Sequence, residues 1–141
     1  MHAHPPPTPY AAKFSTPYCM AAGFFDRRAG FAQFTDDRIQ NPVVLSLAAK
    51  VRYVINPADE YPRAFTGHLR ATLLDGSTRE IRQPYLRGGM HAPLSAPDIE
   101  AKFRDNTRYG GWPADAAERF LAFSQTVFTA DNLDRLQEFR S

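Results

Sequence analysis

The chain has very little cysteine, and this scarcity limits its chemistry. Cys19 is the only cysteine among 141 residues, so an internal disulfide is excluded and a reducing compartment is the natural expectation. Cys19 is surrounded by Met20, Ala21 and Ala22 in an apolar segment. We therefore interpret it as a packing residue rather than as a nucleophile.

Long apolar runs and an excess of one charge are also missing. No apolar run approaches the ~20 residues of a membrane span, and the N-terminus lacks the charged-then-apolar order of a signal peptide. The 17 basic residues are interleaved with 15 acidic ones, which leaves a net charge of only +2. We expect a soluble cytoplasmic protein with neither a membrane nor a nucleic acid as partner.

Motifs for cofactors and metals are absent as well. No glycine-rich phosphate loop follows a predicted strand, and neither HExxH nor CxxC occurs. The four histidines, at positions 2, 4, 68 and 91, have no spacing typical of a metal site. The expectation is no metal and no cofactor, with His2 and His4 on a solvated end and His68 on the surface.

What the chain does contain is enough apolar material for one domain. Its length lies within the common domain size of about 100–150 residues, and 11 Phe and 6 Tyr can build a core. Pro5, Pro6, Pro7 and Pro9 favour an extended backbone. We predict a Pro-rich extended arm over 1–12 and a single domain over 13–141.

Helices are predicted at both ends of that domain. The first begins at Pro17 behind a Ser15 or Thr16 cap, and a cleaner one follows Asn41-Pro42. Further helices follow Ser95, with Asp98 completing a capping box, and Pro113. A last short helix is predicted from Thr129 or Asp131.

The middle of the chain follows the two-residue period of strands. Val51 to Ile55 predicts one strand, Phe65 to Leu73 alternates almost perfectly, and Thr78 to Gln83 is the return strand after the Asp75-Gly76 turn signal. The predicted fold class is α+β, a small antiparallel sheet of about three or four strands with helices packed against it.

Tyr18 is the residue with the most suggestive position for chemistry. It lies in the first turn of a predicted helix, where free N–H groups and the helix dipole attract anions. A phenol there is able to donate to a carboxylate, or to carry a proton if its pKa is lowered. The alternative is a tyrosine that packs its ring and leaves its hydroxyl wet.

Three blocks together resemble a known family. They are Ala12 to Ala21 (AKFSTPYCMA), the Asp75-Gly76 hairpin, and Gly88 to Ser95 (GGMHAPLS) followed by Ile99 to Phe103. In order and spacing they are similar to the C-terminal lid of the MmgE/PrpD family, which includes 2-methylcitrate dehydratase and cis-aconitate decarboxylase.

The resemblance implies a role in a lyase. Such proteins dehydrate, decarboxylate or epimerise small di- and tricarboxylic acids, commonly without a metal, in a cleft between the lid and a large helical domain. Tyr18 would be the lid's catalytic residue, with Ser15 and Lys13 binding substrate. The expected partners are a small polycarboxylate and either the helical domain or a second copy of the chain.

These 141 residues contain no counterpart of the helical domain, so we expect the lid to be inactive without it. The alternative is a stand-alone binding or protein-interaction module that keeps the lid fold without catalysis.

Overall fold

Residues 5–140 are described by a computed structural model, in which the chain divides into two compact units. The N-terminal unit is Met1–Ile55 and the C-terminal unit is Asn56–Ser141. Helices accompany one small antiparallel sheet, which confirms the predicted α+β class. No helix in the described range is both long enough and apolar enough to cross a membrane. The single-domain boundary at residue 13 stays a prediction.

The N-terminal unit is helical. Its elements are α1 (Pro9–Ala12), α2 (Thr16–Asp26), a 3₁₀ turn (Phe31–Gln33), α3 (Asp36–Ile39) and α4 (Pro42–Ala48). The predicted caps of α2 and α4 are confirmed: Ser15 Oγ accepts from Tyr18 N at 3.4 Å, and Asn41 Oδ1 accepts from Val43 N at 3.0 Å. In both helices a proline occupies one of the first two positions after the cap, where its missing N–H leaves no hydrogen bond unmade.

The extended conformation predicted for the whole of 1–12 is wrong at its C-terminal end. Residues 9–12 form α1, capped by Thr8, whose Oγ1 accepts from Ala11 N at 3.1 Å. Pro9 is compatible with this helix because it occupies the first turn rather than the interior. Ala12 is fully buried, so this segment contributes to the core. The earlier part of the predicted arm, residues 1–4, lies outside the described residues.

The core of the N-terminal unit is built from small side chains around one tyrosine. Helices α2 and α4 pack against each other. Ala21 and Ala22 of α2 are fully buried, and small residues of this kind let helix backbones approach closely. Val44 and Ala48, spaced i and i+4 on α4, form its buried face.

The strand predicted over Val51 to Ile55 is not formed. This segment has no regular structure, and Ile55 is 90% exposed. A strand needs a neighbour for its backbone hydrogen bonds, and the described residues provide none here. The described part of the sheet therefore has two strands rather than three or four.

The two strands form the predicted hairpin in the C-terminal unit. Strands β1 (Gly67–Thr72) and β2 (Thr78–Gln83) are antiparallel, with Leu69 opposite Ile81. In the turn, Gly76 has φ +80° and donates its N–H to Leu73 O at 3.0 Å. This left-handed backbone is the reason that glycine follows Asp75.

Two longer helices complete the C-terminal unit. They are α5 (Ala96–Tyr109) and α6 (Ala114–Ser124), followed by 3₁₀ segments at Val127–Thr129 and Asp134–Phe139. The predicted capping box is confirmed, since Asp98 N donates to Ser95 Oγ at 3.2 Å and Ser95 N donates to Asp98 Oδ2 at 3.3 Å. The last short helix starts later than predicted and is 3₁₀. An aromatic cluster joins these elements: Phe103, Trp112, Phe120, Phe123 and Phe139.

Candidate functional site

The candidate site begins at the N-terminus of α2, where the sequence places Tyr18. Ser15 caps the helix, and Pro17 and Tyr18 follow in its first turn. Both Pro17 and Tyr18 are buried, and the Tyr18 side chain is among the largest fully buried ones. The ring of Tyr18 lies against Phe34, with 5.9 Å between the centroids. The ring of Tyr18 is therefore packed, as in the second of the two alternatives that the sequence leaves open.

The hydroxyl of Tyr18 is hydrogen-bonded inside the protein. It donates to the main-chain carbonyl oxygen of Gln33, with 2.5 Å between the oxygens. Because Gln33 belongs to the 3₁₀ turn, the bond fastens α2 to the chain that follows it. The geometry therefore assigns the phenol a structural task, and its catalytic role stays a prediction.

Around Gln33 lies a polar network that sequence reasoning missed. Gln33 is buried, and its side chain accepts from Gly30 N at 2.9 Å and donates to Asp26 Oδ2 at 3.0 Å. Arg38 in turn donates to Asp26 Oδ1 at 2.5 Å. The network joins the end of α2 to α3 and satisfies the amide of Gln33, which burial would otherwise make costly. A glutamine carries no sequence signal that distinguishes a buried position from an exposed one.

Burial makes Tyr18 a hydrogen-bond donor rather than a proton carrier. Desolvation raises the pKa of the phenol, Arg38 lowers it in part, and Asp26 raises it further. The net shift is upward, so the phenol is neutral at physiological pH. The alternative in which a lowered pKa lets Tyr18 carry protons has no support in this environment.

The other two predicted site residues are placed differently. Ser15 is joined to Tyr18, but its Oγ is engaged by the Tyr18 N–H. Lys13 is exposed, and its Nζ lies 5.7 Å from the centroid of the Phe31 ring, a cation–π contact. Of the three residues, Lys13 is exposed, Ser15 is half-buried and Tyr18 is buried.

Cys19 behaves as the sequence predicts. It is half-buried, and its Sγ donates to Ala12 O at 3.4 Å. Burial raises the pKa of the thiol, which keeps it protonated and a weak nucleophile.

A concave surface in the C-terminal unit is the second feature that the sequence did not predict. A hollow of about 440 Å³ lies between the loop before β1 and the chain after β2, with Phe65 and Tyr85 among its walls. An adjoining hollow of about 390 Å³ shares these two residues and adds Arg63 and His91. The rings of Tyr85 and His91 are 4.8 Å apart. The nearest feature of the sequence is the block Gly88 to Ser95, of which Gly89, Met90 and His91 line the second hollow.

No metal centre is evident in the part of the chain that the structure describes. Within residues 5–140, no group of three or more His, Cys, Asp or Glu side chains is arranged to hold an ion. The predicted solvated end with His2 and His4 lies outside the described residues.

Comparison with known proteins identifies the family. The family model described as MmgE/PrpD C-terminal domain matches residues 1–127 of the 141. The chain therefore belongs to the MmgE/PrpD family and carries its C-terminal domain, as the three sequence blocks indicate. Among curated proteins no match was found.

Proposed function

We propose that this chain is the lid of an MmgE/PrpD-like lyase that dehydrates, decarboxylates or epimerises a small di- or tricarboxylic acid. Catalysis requires a helical domain that lies outside these 141 residues. The observation that carries the proposal is the match of residues 1–127 to the family's C-terminal domain. The burial of Tyr18, with its hydroxyl bonded to Gln33 O, supports the second statement, because this residue is then not placed to act as the base.

The chemistry of this substrate class explains what the lid contributes. Removing a proton next to a carboxylate requires a base, together with groups that hold the substrate and its developing enolate charge. Lys13 suits the second task, since its exposed ammonium group is available to a substrate carboxylate. Tyr18 would take part directly only by exchanging its bond to Gln33 for one to substrate. Ser15 holds the first turn of α2 in place.

An exposed aromatic surface near Lys13 supports a partner domain. Tyr10 and Phe14 are 70% and 74% exposed, and their rings meet edge to face at 5.2 Å. Phe24 and Phe25 on α2 are also exposed. Aromatic side chains concentrated on one small unit are typical of an interaction surface. We assign the surface formed by Tyr10 and Phe14 to the helical domain.

The second candidate function is a stand-alone binding module, and the hollows of the C-terminal unit favour it. Apolar walls from Phe65 and Tyr85, with Arg63 and His91 at the side, are the features expected of a pocket for a small acid. This function needs no helical domain.

Lys13 separates the two functions. The purified chain is mixed with a separately produced MmgE/PrpD helical domain from the same genome, and turnover of 2-methylcitrate, citrate and cis-aconitate is measured. We expect Lys13→Ala to lower kcat/KM at least tenfold, whereas Lys50→Ala, another exposed lysine of the same unit, leaves it unchanged. Equal activity of both variants would remove Lys13 from the site. The binding module would be favoured by a different set of results. The mixture would show no turnover, the chain alone would bind these acids, and Arg63→Ala would abolish that binding.

A further inference from the structure

The hairpin of the C-terminal unit has no core of its own. All six residues of β2 are exposed, and in β1 only Ala71 is partly buried. Leu69 and Ile81, which face each other across the strands, are 41% and 66% exposed. A two-stranded hairpin without packing is marginally stable in water, so these strands need a further contact.

The outer edge of β2 is able to provide that contact. Leu73 N donates to Ser77 O at 2.8 Å, which makes this pair a hydrogen-bonded one. Hydrogen-bonded and non-hydrogen-bonded pairs alternate along an antiparallel ladder, so Leu69 and Ile81 also form a hydrogen-bonded pair. The backbone N–H and C=O groups of Glu80 and Arg82 consequently point away from β1. They are available to another strand.

The sequence of β2 is complementary to itself in one antiparallel register. With a two-fold axis at Ile81, Glu80 lies opposite Arg82 of the second copy, and Arg82 lies opposite its Glu80. The outward backbone groups of Glu80 and Arg82 then bond to their counterparts, while Ile81 meets Ile81 in the closely spaced, non-hydrogen-bonded pair. We propose that a second copy of this chain pairs with β2 in this register, forming a continuous four-stranded antiparallel sheet.

Charges within the hairpin fit this arrangement. Glu80 already contacts Arg70 and His68, its neighbours on the same face of β1. Arg82 lies opposite His68, and no carboxylate within residues 5–140 pairs with it. In the four-stranded sheet each Glu80 lies between Arg70 of its own hairpin and Arg82 of the other. Each Arg82 thereby gains an acidic neighbour.

The apolar face and the strand ends also agree with the register. Leu69, Ile81 and their two counterparts form an uninterrupted aliphatic row across the four strands. Arg79 lies opposite Gln83, so no like charges meet. Pro84, which has no N–H, follows β2 and ends the pairing there.

The outer edge of β1 lacks this complementarity. Its charged or ionisable residues are His68 and Arg70, both basic, so no register of β1 against itself brings opposite charges together. This difference is the reason for assigning the contact to β2.

Sedimentation of the full chain over a range of concentrations tests the proposal. We expect a monomer–dimer equilibrium whose Kd rises about tenfold in Arg82→Glu, because two Glu–Glu pairs replace two Glu–Arg pairs. Arg79→Glu changes the same charge on the opposite face, where it meets Gln83, and leaves Kd within about twofold. Circular dichroism checks that both variants are folded. A wild-type chain that stays monomeric at every concentration, or equal effects of the two variants, would overturn the proposal.

Disulfide trapping tests the register independently of affinity. In a Cys19→Ser background, Ile81→Cys places two thiols next to each other across the axis, and mild oxidation should produce a covalent dimer. Arg79→Cys places its two thiols about 14 Å apart, four residues along the strand, and should remain uncrosslinked. Equal crosslinking at the two positions, or none at position 81, would contradict this register.

Discussion

Tyr18 combines full burial with a hydroxyl that donates to a main-chain carbonyl, and this combination determines what the residue is able to do. The bond to Gln33 O joins the first turn of α2 to the 3₁₀ turn, 15 residues further along the chain. The raised pKa keeps the proton on the phenol. A substitution at Tyr18 should therefore affect folding stability before it affects chemistry.

Replacing Tyr18 with Phe should destabilise the chain by about 1–2 kcal/mol. The change keeps the ring but leaves the Gln33 carbonyl without the donor that the structure gives it. Urea unfolding of the two proteins measures the difference. Tyr10→Phe is the matched control, since Tyr10 is 70% exposed, and it should change the free energy of unfolding by less than about 0.5 kcal/mol. Unchanged stability in Tyr18→Phe, with loss of lyase turnover in the presence of the helical domain, would instead support the catalytic role.

At the scale of elements, the caps and the hairpin turn were readable from sequence because their determinants lie within a few residues of one another. Ser15 with Pro17, Asn41 with Pro42, and Ser95 with Asp98 all begin helices, as predicted. The strand predicted over 51–55 does not form. A β-propensity pattern does not show whether a partner strand exists, so the sequence could not reveal this. The burial of Tyr18 likewise depends on Gln33 and Phe34, whose proximity the local sequence does not reveal.

Substitution of two glycines tests the backbone conformation of the hairpin turn and of α2. Gly76 has φ +80° in the hairpin turn, so Gly76→Ala should destabilise the hairpin by about 1 kcal/mol. Gly23 lies within α2, and a Cβ there meets no atom within 4 Å. Gly23→Ala should therefore stabilise the helix by about 0.5–1 kcal/mol. Amide hydrogen exchange in β1–β2 and in α2 reports each effect locally. Changes in stability of the same sign for the two substitutions would contradict these expectations.

The hairpin should be less stable at acidic pH than at neutral pH. Hydrogen bonds from Ser77 lower the pKa of Asp75, and contacts with His68 and Arg70 lower the pKa of Glu80. Carboxyl groups whose pKa is lower in the folded state stabilise it above their unfolded pKa of about 4, and this contribution is lost as the pH falls through the lowered values. The protection factors of the β1 and β2 amides, which correct for the intrinsic pH dependence of exchange, should fall over that range.

Asp75→Asn is the control for the acid experiment. The amide oxygen of asparagine still accepts from Ser77, but the side chain no longer titrates. This variant should show a smaller acid effect than the wild-type chain. An unchanged pH profile would mean that Asp75 does not contribute to it.

At the scale of the whole molecule, the family is established and the activity is the proposal. The match to the MmgE/PrpD C-terminal domain covers residues 1–127. The boundary between the two compact units falls between residues 55 and 56 of the chain. The sequence pointed to the family because its blocks are local and ordered along the chain. It did not reveal the hollows beside Tyr85, which arise from segments about 20 residues apart that fold against each other.

The need of this lid for a helical domain is tested by a turnover assay with 2-methylcitrate, citrate and cis-aconitate, using the folded chain first alone and then with an MmgE/PrpD helical domain. We expect no turnover by the chain alone and turnover by the mixture. Turnover by the chain alone that is lost in Tyr18→Phe, at unchanged stability, would contradict this expectation, because the lid would then contain a complete active site.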